Sequence, residues 1–222
     1  MSESLRETAQ LTAVQEVDVT AIAKVRARVK DSFKQREGIS LTYLPFFARA
    51  LVEASVEFPQ FNASLDLENN QIEYHASVHL GVAVDTPRGL MVPVIRNAED
   101  MTVPELARAI ADIAHRVRSG TIGPDELTGS TISLSNIGGA GSLTDTPILN
   151  FPEVAILGTG AVVRRPWVVA GADEEETIAV RSVCSLPLTY DHRLIDGADA
   201  GRFLTAIRRR LENTEFADLS EY

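Results

Sequence analysis

Cysteine and long apolar runs are scarce in this sequence of 222 residues, and each shortage excludes a class of structure. The single cysteine, Cys184, cannot form a disulfide within the chain, and its place in an alternating segment predicts a small buried residue. No apolar run reaches the roughly 18 residues that a membrane-spanning helix needs, and the N-terminus has no signal-peptide core. The formal net charge of −10 argues against nucleic acid or an anionic membrane as a partner. We therefore expect a cytoplasmic protein.

Helical and strand periodicities alternate along the chain. Apolar residues at intervals of three and four predict helices over 22–33, 42–58 and 103–119, and a last helix through 203–211. Gly38 and Pro59 end the first two, and Thr102 with Glu105 forms a capping box before the third. Alternating or apolar segments predict strands over 11–19, 131–135, 154–163 and 179–190. No linker or repeat marks a boundary, so we predict one domain, residues 1–222, of the α/β class with a mixed sheet.

The segment 61–95 predicts short strands joined by turns at 67–70 and 86–89. Pro87 presets φ and Gly89 closes the second turn, which predicts a hairpin. His75 and His79 invite a metal site, but side chains four residues apart on one strand are about 13 Å apart, too far to share an ion. We therefore expect no metal, a structural or surface role for both histidines, and an exposed His115.

His192 falls in a turn between the strand 179–190 and the last helix. Pro187 makes that strand an edge or irregular one. Chemistry is often placed in such turns, because a rigid strand and helix hold a loop residue in one orientation. Asp196 is expected to support the turn or the imidazole, or to cap the helix. On residue types alone, an ordinary turn histidine and a helix cap are the commoner occurrence.

Four motifs, in the same order, resemble those of the dihydrolipoyl acyltransferases of 2-oxoacid dehydrogenase complexes. They cover Gly81 to Ile95, Ser133 to Gly138, Pro147 to Gly158, and Asp191 to Asp199 with the Arg-Phe-Leu helix behind it. The catalytic domains of this family share a fold with chloramphenicol acetyltransferase. The resemblance therefore implies a trimeric, two-layer sandwich with a mixed β-sheet.

The resemblance also implies the roles of individual residues. The histidine matching His192 takes the proton from the thiol of coenzyme A, and the hydroxyl matching Ser135 donates to the tetrahedral oxyanion. Ser133 and Asn136 are polar competitors at the same strand end, and the family's Ser-Asn-x-Gly pattern selects Ser135. Asn136 is expected to contact coenzyme A.

In the family, the carboxylate matching Asp196 has a mainly architectural role. It holds the histidine loop, in some members through an arginine. Arg26 and Arg28 on the first predicted helix are both candidates for that partner, and the sequence does not choose between them.

Lysine is also scarce in this sequence, and the positions of the lysines bear on the expected partners. Lys24, Lys30 and Lys34 all fall on the first predicted helix, whereas lipoyl groups are carried on a lysine at a hairpin turn. The resemblance therefore implies lipoyl-lysine on a separate domain, with the lipoyl and subunit-binding domains absent from this chain. Expected partners are these lipoyl domains, the dehydrogenase components and two further copies of the chain. Larger cores in the family use an apolar C-terminal tail, so the acidic segment 215–222 favours a trimer.

The implied function is transfer of an acyl group, with acetyl favoured, between dihydrolipoyllysine and coenzyme A in a pyruvate dehydrogenase complex. Succinyl or branched-chain specificity is the alternative within the family. An acyltransferase to a small free acceptor, as in antibiotic acetylation, is another. A scaffold homologue without catalysis is the non-enzymatic alternative, and the joint presence of His192, Asp196 and Ser135 argues against it.

Overall fold

The computed structural model describes residues 1–66, 69–171, 175–213 and 216–222, and within these ranges it has five α-helices and ten strands. The helices are α1 (Ser2–Glu7), α2 (Thr20–Glu37), α3 (Leu44–Glu57), α4 (Val103–Ser119) and α5 (Gly197–Asn213). The strands are β1 (Gln10–Asp18), β2 (Ala63–Asp66), β3 (Gln71–Tyr74), β4 (Leu80–Thr86), β5 (Gly89–Met91), β6 (Val94–Ile95), β7 (Ile132–Asn136), β8 (Ala155–Thr159), β9 (Val163–Ala170) and β10 (Glu176–Asp191). Residues 67 and 68 of the first predicted turn lie outside the described residues.

The four predicted helices are confirmed, and their ends have the expected caps. The Thr102 side chain accepts from the Glu105 amide while the Glu105 carboxylate accepts from the Thr102 amide, so the capping box forms before α4. Gly38 ends α2 with a left-handed φ of 71°, which a glycine adopts without strain. The short helix α1 was not predicted, because six residues carry too little periodicity to be recognised.

Eight strands form one mixed sheet in the order β1-β10-β8-β7-β4-β5, with β6 also paired to β4 and β9 to β10. The pairs β4–β7 and β7–β8 are parallel, and the other pairs of this sheet are antiparallel. β4 and β5 form the hairpin predicted around Pro87 and Gly89. β2 and β3 form a separate two-stranded hairpin. The mixed sheet is thus confirmed.

The hydrophobic core lies between one face of the large sheet and helices α2 to α5. Alternate residues of the central strands point toward the helices, where α5 presents its own apolar stripe. Full burial stabilises each such side chain by roughly 1.5–3 kcal/mol. This arrangement confirms a two-layer sandwich, and its central buried side chains are Ile132, Leu134, Leu157, Leu186, Leu188, Phe203, Leu204 and Ile207.

Pro187 lies in an interior strand, so its assignment to an edge strand was wrong. β10 pairs with β1 on one side; on the other side it pairs first with β9, over Glu176–Val183, and then with β8, over Leu188–Tyr190. Pro187 lies level with Gly158 of β8 and interrupts the ladder there, because it has no amide hydrogen to donate. The Gly160 amide donates to the Ser185 carbonyl at 2.9 Å, so β8 and the residues after it stay bonded to β10 on both sides of the proline. Gly158 faces the proline ring, and a Cβ there would lie 2.7 Å from Cγ of Pro187. The alternative of an irregular strand therefore holds.

Candidate active site

His192 follows the last residue of β10 and begins the turn that leads into α5. Its amide donates to the carbonyl of Ala9 at 2.9 Å, which extends the pairing of β10 with β1 by one residue. Its ring centroid lies 5.8 Å from that of the buried Tyr190, while the imidazole itself is exposed. A fixed backbone thus presents an accessible imidazole, and the predicted position between strand and helix is confirmed.

Asp191 and Arg193, on either side of His192, hold this turn, and sequence reasoning singled out neither. The Asp191 carboxylate is 1% exposed and accepts from the amides of Ala9 and Arg193 at 3.3 and 3.1 Å. The Arg193 guanidinium binds both carboxylate oxygens, Nε to Oδ1 at 2.9 Å and Nη2 to Oδ2 at 2.5 Å. Burial alone would raise the pKa of Asp191, but the hydrogen bonds and charge of Arg193 outweigh burial and lower that pKa. The sequence signal was the charge pair flanking the histidine.

Asp196 caps α5, one of the three roles left open by its sequence. Its Oδ1 accepts from the Asp199 amide at 2.8 Å, and the side chain is exposed. This backbone hydrogen bond is the main cause of the lowered pKa of Asp196, ahead of the charge of Arg202. Asp196 therefore supports the far end of the histidine turn through the helix.

The two arginines proposed as partners of Asp196 lie on α2. Nε of Arg26 donates to the carbonyl of Leu41 at 3.0 Å, and its guanidinium lies 4.0 Å from the centroid of the Tyr43 ring. Arg28 is exposed. Within one chain, Arg26 thus binds the segment between α2 and α3, and the charge acting on Asp196 from an arginine is that of Arg202.

Ser135 lies near the end of β7 on the face of the sheet away from the helices. Its neighbours Ile132 and Leu134 point into the core, so the alternation of the strand directs Ser135 the other way. In the adjacent strands it pairs with Ala83 and Gly158, and its hydroxyl is half-buried. The Ser135 side chain thus stays partly accessible at this end of the strand.

The competing polar residues at this strand end are placed differently. Ser133 is 1% exposed, and a Cβ at Gly81 would come within 2.6 Å of its Oγ, so this hydroxyl is enclosed. The Asn136 side chain accepts from the Gly139 amide at 3.1 Å and is exposed. Asn136 also lines a cavity of about 290 Å³, together with Tyr43, Phe47 and Val162. Ser135 is therefore the accessible serine.

Ser135 and His192 of one chain lie at opposite ends of the sheet. Ser135 pairs with Gly158, and Gly158 lies level with Pro187 because Leu157 pairs with Leu188. His192 is five residues further along β10, about 16 Å at the rise of a strand, and two strand spacings separate β7 from β10. The two residues are therefore roughly 19 Å apart. They cannot act on one reacting atom within a single chain.

The segment that carries His75 and His79 is a bend between β3 and β4, so placing both on one strand was wrong. His75 Nε2 lies 2.8 Å from Ser64 Oγ, and His79 Nδ1 accepts from the Asn97 amide at 3.2 Å. Both histidines line one cavity of about 610 Å³. Among the residues that the structure describes, no cluster of three His, Cys, Asp or Glu side chains could hold a metal ion.

The remaining sequence expectations concern single residues and the membrane. His115 is exposed on α4, as predicted. Cys184 is buried, as predicted, and burial raises the pKa of its thiol to about 12. None of the helices in the described ranges combines the length and the apolar character that crossing a membrane requires.

Comparison with known proteins places this geometry in a family. The family model described as 2-oxoacid dehydrogenases acyltransferase (catalytic domain) matches residues 1–218. The chain belongs to this acyltransferase family. It is 58% identical over 218 residues to the dihydrolipoyllysine-residue acetyltransferase component of the pyruvate dehydrogenase complex from Mycobacterium tuberculosis (strain CDC 1551 / Oshkosh). That match covers 98% of this chain and 39% of the relative, so the chain spans well under half of the relative's length.

Solved structures of this acyltransferase family have the same fold. The Azotobacter vinelandii dihydrolipoamide acetyltransferase superposes with a TM-score of 0.88 at 34% identity, over 96% of this chain and 85% of that one. That structure was determined to investigate a serine, a histidine and an asparagine in its catalytic mechanism. A chloramphenicol acetyltransferase superposes with a TM-score of 0.59 at 16% identity, over 95% of this chain and 94% of that one. The predicted chloramphenicol acetyltransferase-like fold is thus confirmed.

Proposed function

We propose that this domain transfers an acyl group, acetyl, between dihydrolipoyllysine and coenzyme A in the core of a pyruvate dehydrogenase complex. The 58% identical relative is named as an acetyltransferase component of the pyruvate dehydrogenase complex, which supports both the choice of acetyl and the choice of complex. The observation that carries the chemistry is His192, whose imidazole is exposed while its backbone is held between β10 and α5. A base in that position can take a proton from a substrate that reaches it from solvent.

The proposed reaction exchanges one thioester for another. His192 takes the proton of the coenzyme A thiol, and the thiolate attacks the carbonyl carbon of acyl-dihydrolipoyllysine. The carbonyl oxygen becomes an oxyanion, to which the Ser135 hydroxyl donates. Collapse breaks the bond from carbon to lipoyl sulfur, and the dihydrolipoyl thiolate takes the proton back from the imidazolium. Because a thioester and a thiol stand on both sides, catalysis rests on positioning and proton transfer.

Acyl specificity is the direct test of this function. We expect the purified protein to transfer acetyl from acetyl-coenzyme A to free dihydrolipoamide faster than it transfers succinyl or isobutyryl, compared as kcat/KM. A small hydroxyl acceptor in place of dihydrolipoamide serves as the control and should give no product above background. A preference for succinyl or isobutyryl would contradict the acetyl assignment. Absence of transfer with all three acyl groups would contradict the proposal that this protein is an acyltransferase.

The separation of roughly 19 Å between Ser135 and His192 leads to a composite site. We propose a homotrimer in which the histidine of one subunit meets the serine of the next, at each interface of a cyclic ring. The β9–β10 hairpin supports such an interface, because it exposes Val168, Ile178 and Val180 on one face, Ile178 with 77% of its surface accessible. Apolar side chains grouped in this way mark association surfaces.

The C-terminal segment supports a trimer over a larger particle. Its described residues 216–222 pack on their own chain: Phe216 meets Phe46 edge to face, and the Tyr222 ring lies 4.9 Å from that of Phe33. The Tyr222 hydroxyl also donates to Glu37 at 2.5 Å. We therefore propose that this segment stays on its own subunit and does not join trimers into a larger particle.

Native mass measurement should therefore give three chains per particle. We expect this state at micromolar concentration and at moderate salt, with no larger closed assembly. The variant Phe216→Ala serves as the control for the tail. It removes the ring contact with Phe46 and should leave the trimer associated. A particle of 24 chains would contradict this interpretation of the tail.

The substrates are expected to reach this domain from other parts of the complex. We propose that residues 1–222 are one catalytic domain, that lipoyl-lysine is carried on a separate domain, and that lipoyl domains and dehydrogenase components are its partners in a cytoplasmic complex. All three lysines lie on α2, within a helix rather than at a hairpin turn. This placement supports a lipoyl group carried elsewhere.

A further inference from the structure

The residues directly before and after His192 carry opposite charges and bind each other around it. The Arg193 guanidinium contacts both oxygens of Asp191, in the two-point geometry that gives such pairs their directional strength. The geometry points to a positioning role for this pair: we propose that Asp191 and Arg193 set the orientation of His192 for proton transfer. The proposal deepens the proposed acyltransferase function and rests on it.

Asp191 connects the turn to segments that are distant in sequence. Its carboxylate accepts from the Ala9 amide ahead of β1, and its own amide donates to the carbonyl of Val154 ahead of β8. Its carbonyl accepts from the amides of Leu194 and Ile195, which folds the turn back on itself. The residue preceding His192 is therefore fixed on all sides, and a shift of its carboxylate would move the histidine backbone.

Arg193 fixes the other side of His192. Its amide and its guanidinium both donate to the Asp191 carboxylate, so the residue after the histidine is attached to the residue before it. The Asp191 side chain is 1% exposed and that of Arg193 is 33% exposed, so the pair is shielded on the carboxylate side only. By contrast, Asp196 is exposed and bonds to the first turn of α5, four residues from the imidazole. The pair thus acts on the flanks of His192, and Asp196 acts on the helix.

Substitution of Arg193 tests the pair while the buried Asp191 carboxylate keeps its two backbone donors. In Arg193→Gln we expect kcat to fall about 10²-fold, the effect of displacing a catalytic group by about 1 Å, with the Michaelis constants for coenzyme A and dihydrolipoamide unchanged. Arg193→Lys should not restore kcat, because an ammonium keeps the charge but lacks the planar fork. The matched control is Arg116→Gln on α4, which removes an arginine of similar exposure, 29%, from its carboxylates Asp112 and Glu126.

The mobility of the His192 ring gives a second readout that does not depend on activity. The four histidines should give separate ring C–H signals in NMR, and His192→Ala identifies the signal of His192. We expect its ring order to fall in Arg193→Gln and to stay unchanged in Arg116→Gln. Unchanged ring order in Arg193→Gln overturns the proposal, as does a loss of kcat shared by Arg116→Gln. Raised Michaelis constants with normal kcat would instead make Arg193 a binding residue. If the parent enzyme transfers no acyl group, the proposed function fails, and ring order still decides the positioning role.

Discussion

Replacing His192 with alanine is expected to lower the rate of acyl transfer by roughly 10²–10⁴, the contribution of a well-placed general base. The fold should survive, because the imidazole is exposed and the turn is held by the backbone of residue 192 and by its neighbours Asp191 and Arg193. Initial rates with acetyl-coenzyme A and dihydrolipoamide measure the loss, and thermal unfolding monitors the fold. Loss of rate with an unchanged unfolding temperature would assign the proton transfer to this residue.

His115 provides the matched control for that substitution. It is also an exposed histidine, but it lies on α4, and so outside the strand-to-helix turn. His115→Ala should keep the parental rate and stability within experimental error. A nearly normal rate in His192→Ala would contradict the mechanism. A similar loss in both variants would show that the effect is not specific to the turn.

Local features of the fold followed from the sequence because their causes are local. Helix α4 was predicted with both ends correct, since its capping box and its apolar stripe lie within one segment. The turn before α5 was predicted for the same reason, from an alternating strand, a polar turn and a helical stripe. The position of His192 therefore needed no knowledge of the tertiary structure.

The features that escaped prediction depend on contacts between distant segments. Asp191 joins Ala9 to the histidine turn across 182 positions of sequence, and no periodicity encodes that contact. Pro187 indicated an interruption, but only the strand order shows that its strand is interior and that the interrupted ladder is the one with β8. Three roles stayed open for Asp196 because all fit a carboxylate at the start of a helix, and the bond from the Asp199 amide decides for the cap.

The separation of Ser135 from His192 is the least local of these results. Both residues were selected from motifs, and both lie at strand ends as expected. Whether the two strand ends lie at the same edge of the sheet depends on the order and direction of the strands. β8 lies between β7 and β10, and β10 runs antiparallel to both. Only this register shows that the two residues are roughly 19 Å apart in one chain, and this separation is the basis for proposing a site completed by a second subunit.

Mixing two inactive variants tests that composite site most directly. Ser135→Ala removes a transition-state donor, for which we expect a loss of about 10²–10³ in kcat, and His192→Ala removes the base. When equal amounts are unfolded together and refolded, a site is intact only if its histidine comes from a Ser135→Ala chain and its serine from a His192→Ala chain. Random assembly of a cyclic ring makes about a quarter of the sites intact, so roughly a quarter of parental activity should return.

The controls are the two variants refolded separately, which must stay inactive, and a mass measurement showing that mixed trimers have formed. If one chain supplied both residues, every site in the mixture would carry a lesion. We expect the mixture to recover roughly a quarter of the parental rate. Activity no higher than that of the separate controls, in proven mixed trimers, would contradict a site shared between subunits.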